Sequence, residues 1–261
     1  MQIAVLGLGE AGSLYAAGLV ARGATVRGFD PGDVATPDGV ERVASAEDAA
    51  RDADIVLSLV GARFAATALA GALPAMADGD AIYADLNTGS PAQKAELAAQ
   101  AAASGIAFVD VAVMAPVPRA GASTPLLVSG AGAEAFRDRL AGFDVPIDSA
   151  GPEAGAAAGL KLVRSILMKG LAGLLLESLS AAGKLDAEDW MRAQIVGELG
   201  PGSEELIDRL IEGSRQHAAR RVHEMTDVRE FLDRLGSPSW MTEGALRWLR
   251  SLSDDAEVAV R

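Results

Sequence analysis

Three glycines, Gly7, Gly9 and Gly12, stand in a G-x-G-x-x-G frame spanning Gly7, Leu8, Gly9, Glu10, Ala11 and Gly12. An apolar run at residues 2–6 precedes the frame, and a stretch of helical spacing over 12–22 follows it, so it reads as a strand–turn–helix junction. Each glycine has a physical task there. Gly7 allows the tight turn, Gly9 lets the backbone approach a pyrophosphate, and Gly12 lets the helix pack closely on the strand. The free N–H groups of a helix start suit the same anion. Asp30 closes a second strand-like run, 24–30. An acidic side chain at that place meets the hydroxyls of an adenosine ribose and repels a 2′-phosphate. The pattern predicts dinucleotide binding, with NAD favoured and NADP left open.

Further candidates follow strand-like runs. Val60 ends the run 54–60 and joins the cofactor set. Asn87 and Thr88 leave the run 81–86 and enter a helix at Pro91. Both suit a nicotinamide ribose or a substrate carboxylate, although Thr88, Ser90 and Pro91 also suit a helix cap. Lys161, Ser165 and Lys169 recur every four residues and share one helix stripe. A lysine among apolar neighbours can have a depressed pKa and move a proton near neutrality, while the alternative is a surface lysine with a buried stem. Arg220 and Arg221, with Arg215, His217, His223 and Glu224, form the densest basic cluster. Arginine recognises carboxylate or phosphate with two bonds, and the alternative is a solvated helix face.

The elements that must hold these residues alternate. Strand-like runs at 2–6, 24–30, 54–60, 81–86, 106–111 and 125–129 are separated by helical stretches at 12–22, 46–52, 63–76 and 91–103. That is a doubly wound, mostly parallel sheet of the α/β Rossmann class. A breaker cluster at 151–155 ends the pattern. One long helix is expected over 156–182, then helices at 186–199, 202–219 and 222–235. The expected organisation is a dinucleotide-binding domain, 1–150, and an all-α domain, 151–261, joined by the long helix.

Composition excludes other chemistries. The 261 residues carry 23 basic and 36 acidic side chains, a formal net charge of −13, so a nucleic-acid partner is not expected. The second domain is the less acidic part, which favours an anionic small-molecule substrate there. There is no cysteine, which removes disulfides, thiolate metal sites and a thiol nucleophile, and two histidines make a histidine-rich metal site unexpected. No run is long enough to span a bilayer, and the start reads straight into a strand. The expectation is a cytoplasmic protein without metal or membrane. The apolar long helix predicts a homodimer.

These pieces, in this order, resemble the β-hydroxyacid dehydrogenase family, which includes 3-hydroxyisobutyrate and 6-phosphogluconate dehydrogenases. GLGEAG matches the family's GLGxMG. NTGSP at 87–91 is similar to its S-T-x-x-P loop. DVAVMAP at 110–116 occupies the place of its D-A-P-V-S-G-G substrate motif, and Lys161 in KLVRS that of its catalytic lysine. Met114 stands where the family has a serine, and Ala115 and Pro116 replace two glycines. Arg164 and Ser165 replace paired asparagines, and His223–Glu224 looks like its late Lys-Asp pair.

The resemblance implies an NAD(P)-dependent oxidoreductase acting on a small hydroxy acid or its carbonyl form. Lys161 would be the general acid–base and Ser165 would orient the substrate. Met114, Ala115, Pro116, Lys169, Arg220 and Arg221 would form the substrate subsite. The alternatives are an imine reductase-like enzyme and an NAD(P)-binding regulator without turnover.

Overall fold

The run at residues 2–6 becomes a central strand because every neighbour it needs is apolar: Ile3, Ala4, Val5 and Leu6 are all fully buried. The structure, a computed structural model, describes residues 1–76 and 80–259. It divides into two compact units, Met1–Lys161 and Leu162–Arg261. The first unit therefore takes in the first turns of the long helix, eleven residues beyond the expected boundary at 150.

The first unit runs β1 (Gln2–Leu6), α1 (Glu10–Val20), β2 (Thr25–Phe29), β3 (Val40–Arg42), α2 (Ala46–Ala50), β4 (Ile55–Ser58), α3 (Ala65–Met76), β5 (Ile82–Asp85), α4 (Pro91–Ala103), β6 (Ala107–Val113), α5 (Val117–Ala120), β7 (Leu126–Ser129), α6 (Ala133–Leu140) and β8 (Ile147–Ser149). The sheet order is β3-β2-β1-β4-β5-β6-β7-β8. All pairings are parallel except β6 with β7. Alternate residues of β1 feed two cores. Ile3 and Val5 pack with Tyr15 and Leu19 of α1 and Phe136 of α6. Ala4 and Leu6 pack with Ala49 of α2, Leu69 of α3 and Leu97 of α4. Each fully buried Leu or Ile contributes about 1.5–3 kcal/mol. Ser45 caps α2 by accepting the Asp48 N–H at 3.0 Å. Ser90 caps α4 in the same way, from Gln93 at 3.2 Å, with Pro91 in the first turn.

Helix α7 (Ala156–Gly183) starts in the first unit and ends in the second. The second unit continues with α8 (Glu188–Leu199), α9 (Ser203–Gln216), α10 (Ala218–Leu235) and α11 (Trp240–Ala259). Leu175, Leu176 and Leu179 of α7 pack with Ile207 and Leu210 of α9. Met225, Val228 and Leu232 of α10 pack with Leu246 and Leu249 of α11. Two expectations shift. The α9–α10 break falls at His217, earlier than the expected gap at 220–221. Elements β3, β8, α5, α6 and α11 lie outside the expected set. Among the described residues, no helix is long and apolar enough to cross a membrane.

Candidate active site

Parallel strands bring the candidate residues of the first unit to one edge of the sheet. Gly7 follows β1, Asp30 follows β2, Val60 lies two residues past β4, Asn87 two past β5, and Met114 directly follows β6. In a doubly wound sheet, that carboxyl edge is where ligands bind.

The three glycines of the first turn differ in what they make room for. Gly7 has φ +92°, and a Cβ there would lie 2.5 Å from the Leu59 carbonyl oxygen. A Cβ on Gly12 would lie 1.8 Å from the Gly7 carbonyl oxygen. Both are demanded by the protein's own backbone. Gly9 is exposed and a Cβ on it would meet nothing within 4 Å. Its open side leaves space for a ligand to reach the start of α1, whose first N–H groups lack helical partners. Leu8 is buried, Ala11 half-buried and Glu10 exposed. The cradle fits a pyrophosphate.

Asp30 locks this turn to the end of β2. Its Oδ2 accepts the Leu8 N–H at 2.7 Å, and its Oδ1 accepts the Gly32 N–H at 2.8 Å. Each carboxylate oxygen keeps a lone pair that a ribose hydroxyl can use. Arg42 of β3 braces the same loop, donating to the carbonyl oxygens of Asp30 at 2.9 Å and Gly32 at 2.6 Å, and to that of Val34.

Asn87 is buried and heavily committed. Its Oδ1 accepts the Gly61 N–H at 2.7 Å, and its Nδ2 donates to Ser58 Oγ at 3.0 Å and to Asp85 Oδ1. It fixes the turn after β4, where Gly61 has φ +87°, and keeps one lone pair for a ligand. Thr88 is exposed and Val60 half-buried. The expected capping role falls to Ser90 and Pro91, as described above. Beyond Gly61, the Arg63 guanidinium lies 4.5 Å from the centre of the Phe64 ring.

A buried polar row underlies this edge. Ser58, Asp85, Asp110 and Ser129 are register partners across β4, β5, β6 and β7, and all are at most 1% exposed. Lys94 of α4, equally buried, places its Nζ 2.7 Å from Asp85 Oδ2, 2.8 Å from the Asp85 carbonyl oxygen and 3.3 Å from Asp110 Oδ1. Asp110 Oδ2 accepts the N–H groups of Gly155 at 3.2 Å and Ala158 at 3.0 Å, and the Ser129 hydroxyl at 3.3 Å. Ser129 Oγ accepts the Ala157 N–H at 3.0 Å. One turn further along α7 stands Lys161, half-buried. Two residue pairs below the row, the rings of Tyr83 and Phe108 stack at 6.2 Å. Burial pushes the Tyr83 phenol well above its usual range, with Asp85 adding to the rise and Ser58 opposing it.

Lys94, Asp85, Asp110 and Ser129 escape the sequence reading. Their signal is an aspartate inside each of two apolar strands, AIYADL and IAFVDV, since a buried carboxylate demands a partner. Met114 and Ala115 are half-buried and Pro116 is exposed, with the Met114 N–H donating to the Pro125 carbonyl oxygen at 2.9 Å.

In the second unit, Lys169 joins two candidates. Its Nζ donates to Ser165 Oγ at 3.3 Å and pairs with Glu224 Oε2 at 3.1 Å. Arg220, exposed, pairs with the other oxygen of Glu224 at 3.2 Å. Arg221 turns elsewhere and donates to Ser214 Oγ at 2.7 Å. Gly213 leaves the room, since a Cβ there would lie 2.6 Å from the guanidinium. Burial holds the Arg221 pKa below its usual value, Glu224 acting against the shift and Arg220 with it. Among the described residues, no group of three acidic or histidine side chains could hold a metal.

Comparison with known proteins bears on the family and the fold. A family model described as the NAD binding domain of 6-phosphogluconate dehydrogenase matches residues 2–144. The chain belongs to that family. A second model, a domain of unknown function designated DUF1932, matches residues 182–252. An uncharacterized 28.5 kDa protein in the 7S RNA 5′ region of Methanothermus fervidus is 30% identical over 194 residues, 74% of each chain. Among solved structures, the conserved protein MTH1747, described as structurally similar to 3-hydroxyacid dehydrogenases, has a TM-score of 0.80 at 28% identity, covering 97% of both chains. A Mycobacterium tuberculosis 3-hydroxyisobutyrate dehydrogenase shares the fold at 21% identity and TM-score 0.80, over 97% of this chain and 94% of that one. So does a Streptomyces aurantiacus imine reductase, at 21% identity and TM-score 0.64, over 98% and 95%. The first unit is thus an NAD-binding Rossmann domain.

Proposed function

We propose that the protein is a cytoplasmic NAD(P)-dependent oxidoreductase that interconverts a small, anionic hydroxy acid and its carbonyl form. The observation that carries this reading is the turn at Gly7–Gly12, open at Gly9 and tied to Asp30, in the same unit as Lys161. The bound cofactor supplies or accepts a hydride. Gly9 and the first N–H groups of α1 hold its pyrophosphate, and Asp30 accepts from its ribose. Because Asp30 is acidic, NAD is the preferred form. Arg42, a cation in the same loop, softens the penalty on the 2′-phosphate of NADP. Val60, Asn87 and Thr88 line the edge beside the reacting ring.

Lys161 Nζ takes the proton of the substrate hydroxyl in oxidation and returns it to the carbonyl oxygen in reduction. Ser165 orients that oxygen, and Lys169, with Arg220 and Arg221, favours an anionic substrate end. Met114, Ala115 and Pro116 give the subsite after β6 no side-chain hydroxyl, so a substrate with an apolar part fits it. That same character favours a second reading, reduction of an imine. The deciding experiment follows NADH and NADPH oxidation against a panel of carbonyl acids, with and without added amines. Turnover with carbonyl acids alone supports the first reading, and turnover only with amines supports the second. Tight cofactor binding with no turnover in either arm leaves a regulator.

The same reading includes a homodimer. Leu160, Val163, Leu167 and Leu174 of α7 are 51%, 45%, 67% and 57% exposed and lie along one stripe of that helix. A second copy offers the same stripe, which makes the patch self-complementary about a two-fold axis.

A further inference from the structure

We propose that Lys94 is a positioning residue: its buried ammonium ties the turn that carries Asn87 to the first turn of α7, the helix that bears Lys161. The inference rests on the cofactor site proposed above.

Lys94 donates to Asp85 Oδ2 and to the Asp85 carbonyl oxygen, and its Nζ forms an ion pair with Asp110 Oδ1 at 3.3 Å, outside hydrogen-bond geometry. The two carboxylates it joins face different loads. Asp85 holds Asn87, which holds Gly61 and Ser58 at the end of β4. Asp110, with Ser129, accepts three N–H groups at the start of α7, from Gly155, Ala157 and Ala158. Those are donors that a helix start leaves unpaired. The start of α7 also sits directly on α4, since a Cβ on Gly155 would lie 2.6 Å from the Pro91 carbonyl oxygen.

The charge count explains why a lysine is needed. Two buried carboxylates and one ammonium leave a single negative charge, and the positive end of α7 offsets it. Without the ammonium, two carboxylates would share a dry site with only backbone N–H groups for compensation. Breaking a buried pair by removing one partner is the costly case, because the other charge stays behind. The carboxylates would then part. That slackens one of the two turns they hold, so the loss would be local to the cofactor edge and the base of α7.

The test uses the full chain. Lys94→Met removes the ammonium. Lys94→Cys, alkylated in denaturant and refolded, gives two further forms. Treatment with 2-bromoethylamine rebuilds a cation of lysine length, and iodoacetamide adds a neutral group of similar size. The chain has no other cysteine, so both reagents act at position 94 alone. Amide hydrogen exchange is followed over residues 155–160 and 58–62, with residues 2–6 as the internal control, and NADH affinity by fluorescence titration. Lys94→Met and the neutral adduct should exchange about tenfold faster at both stretches, with residues 2–6 still protected. Their NADH Kd should rise about tenfold. The aminoethylated form should return to wild-type behaviour in both measurements, which a role in packing alone would not produce.

Wild-type protection at 155–160 in Lys94→Met or in the neutral adduct overturns the proposal. So does a loss that spreads equally to residues 2–6, or an aminoethylated form that matches the neutral one. If the wild-type chain binds neither NADH nor NADPH, the cofactor reading fails instead, and hydrogen exchange still decides whether Lys94 holds α7.

Discussion

The backbone N–H of Leu8 donates to Asp30 Oδ2 at 2.7 Å, so the turn that would hold a pyrophosphate and the carboxylate that would hold a ribose are one rigid piece. Asp30 therefore has two tasks, and replacing it separates them. Asp30→Ala should weaken NADH binding about tenfold, roughly 1.4 kcal/mol, through the lost ribose contact and the loosened turn. NADPH should weaken less, because repulsion of its 2′-phosphate disappears together with the brace. Parallel titrations check this, and a wild-type chain that prefers NADPH tenfold would contradict it.

Gly9 and Gly12 should respond oppositely to the same methyl group. Gly9→Ala meets open space at φ −64°, so its melting temperature should stay at the wild-type value while NADH affinity falls. Gly12→Ala drives a Cβ into the Gly7 carbonyl and should cost about 3 kcal/mol or more of stability. Thermal melts set beside cofactor titrations separate the two effects.

Lys161 and Lys169 lie eight residues apart on α7, about 12 Å along the axis at 1.5 Å per residue. Lys161→Ala should lower kcat and kcat/KM together by roughly 10²–10⁴-fold and leave NADH binding almost unchanged. Lys169 is paired with Glu224, so Lys169→Ala should act mainly on KM. Steady-state kinetics on the best substrate from the carbonyl panel decide it. The reverse assignment, or full turnover without Lys161, defeats the mechanism.

Tyr15 gives a pH dependence with a definite sign. Burial pushes its phenol from 10.0 up to about 12, with the neighbouring Thr124 hydroxyl opposing the rise, and no hydrogen bond of normal geometry reaches the phenol. A raised folded-state pKa contributes stability that is complete below the unfolded value and is lost as pH climbs through the folded one. The chain should therefore lose stability between about pH 10 and pH 12, and Tyr15→Phe should flatten part of that loss. At neutral pH the same substitution should change stability by less than about 1 kcal/mol, since no hydrogen bond of normal geometry is removed. Urea melts across the alkaline range check both.

Leu167 is the most exposed of the four residues on the α7 stripe, at 67%. Leu167→Glu should turn a dimer into a monomer at micromolar concentration, read by light scattering. A monomeric wild type would end the dimer proposal.

Sequence pattern reveals most of the architecture because the elements at its centre declare themselves locally. A short apolar run followed by a glycine or a helix former is enough to locate β1, β2, β4, β5 and α4. Strands β3 and β8 are three residues long, each with one half-buried and two exposed side chains, so they carry no apolar signal. They are the two edges of the sheet and exist because β2 and β7 beside them supply hydrogen bonds. Helix α11 hides differently. Trp240 and Met241 are 82% and 60% exposed, so its start looks like surface, and the apolar stripe begins only at Ala245. In the site, the glycine turn is legible since it is continuous in sequence. The Lys94 cluster is not. Asp85 and Asp110 advertise a missing cation, but nothing local in PAQKAELAAQ says that Lys94 points inward.

The strand order has a consequence for how the chain is made. Strands β2 and β3 extend the sheet on one side of β1, and every later strand, β4 to β8, docks beside one synthesised before it. The sheet can therefore be laid down in the order in which the ribosome releases it, without a gap held open for a segment still to come. The buried charges follow a later timetable. Asp85, Lys94 and Asp110 can meet once β6 is out, but their negative excess is not offset until Gly155 and Ala158 arrive. Completion of the first unit waits on the opening residues of α7, and a nascent chain cut short before them would carry an unbalanced carboxylate at its centre.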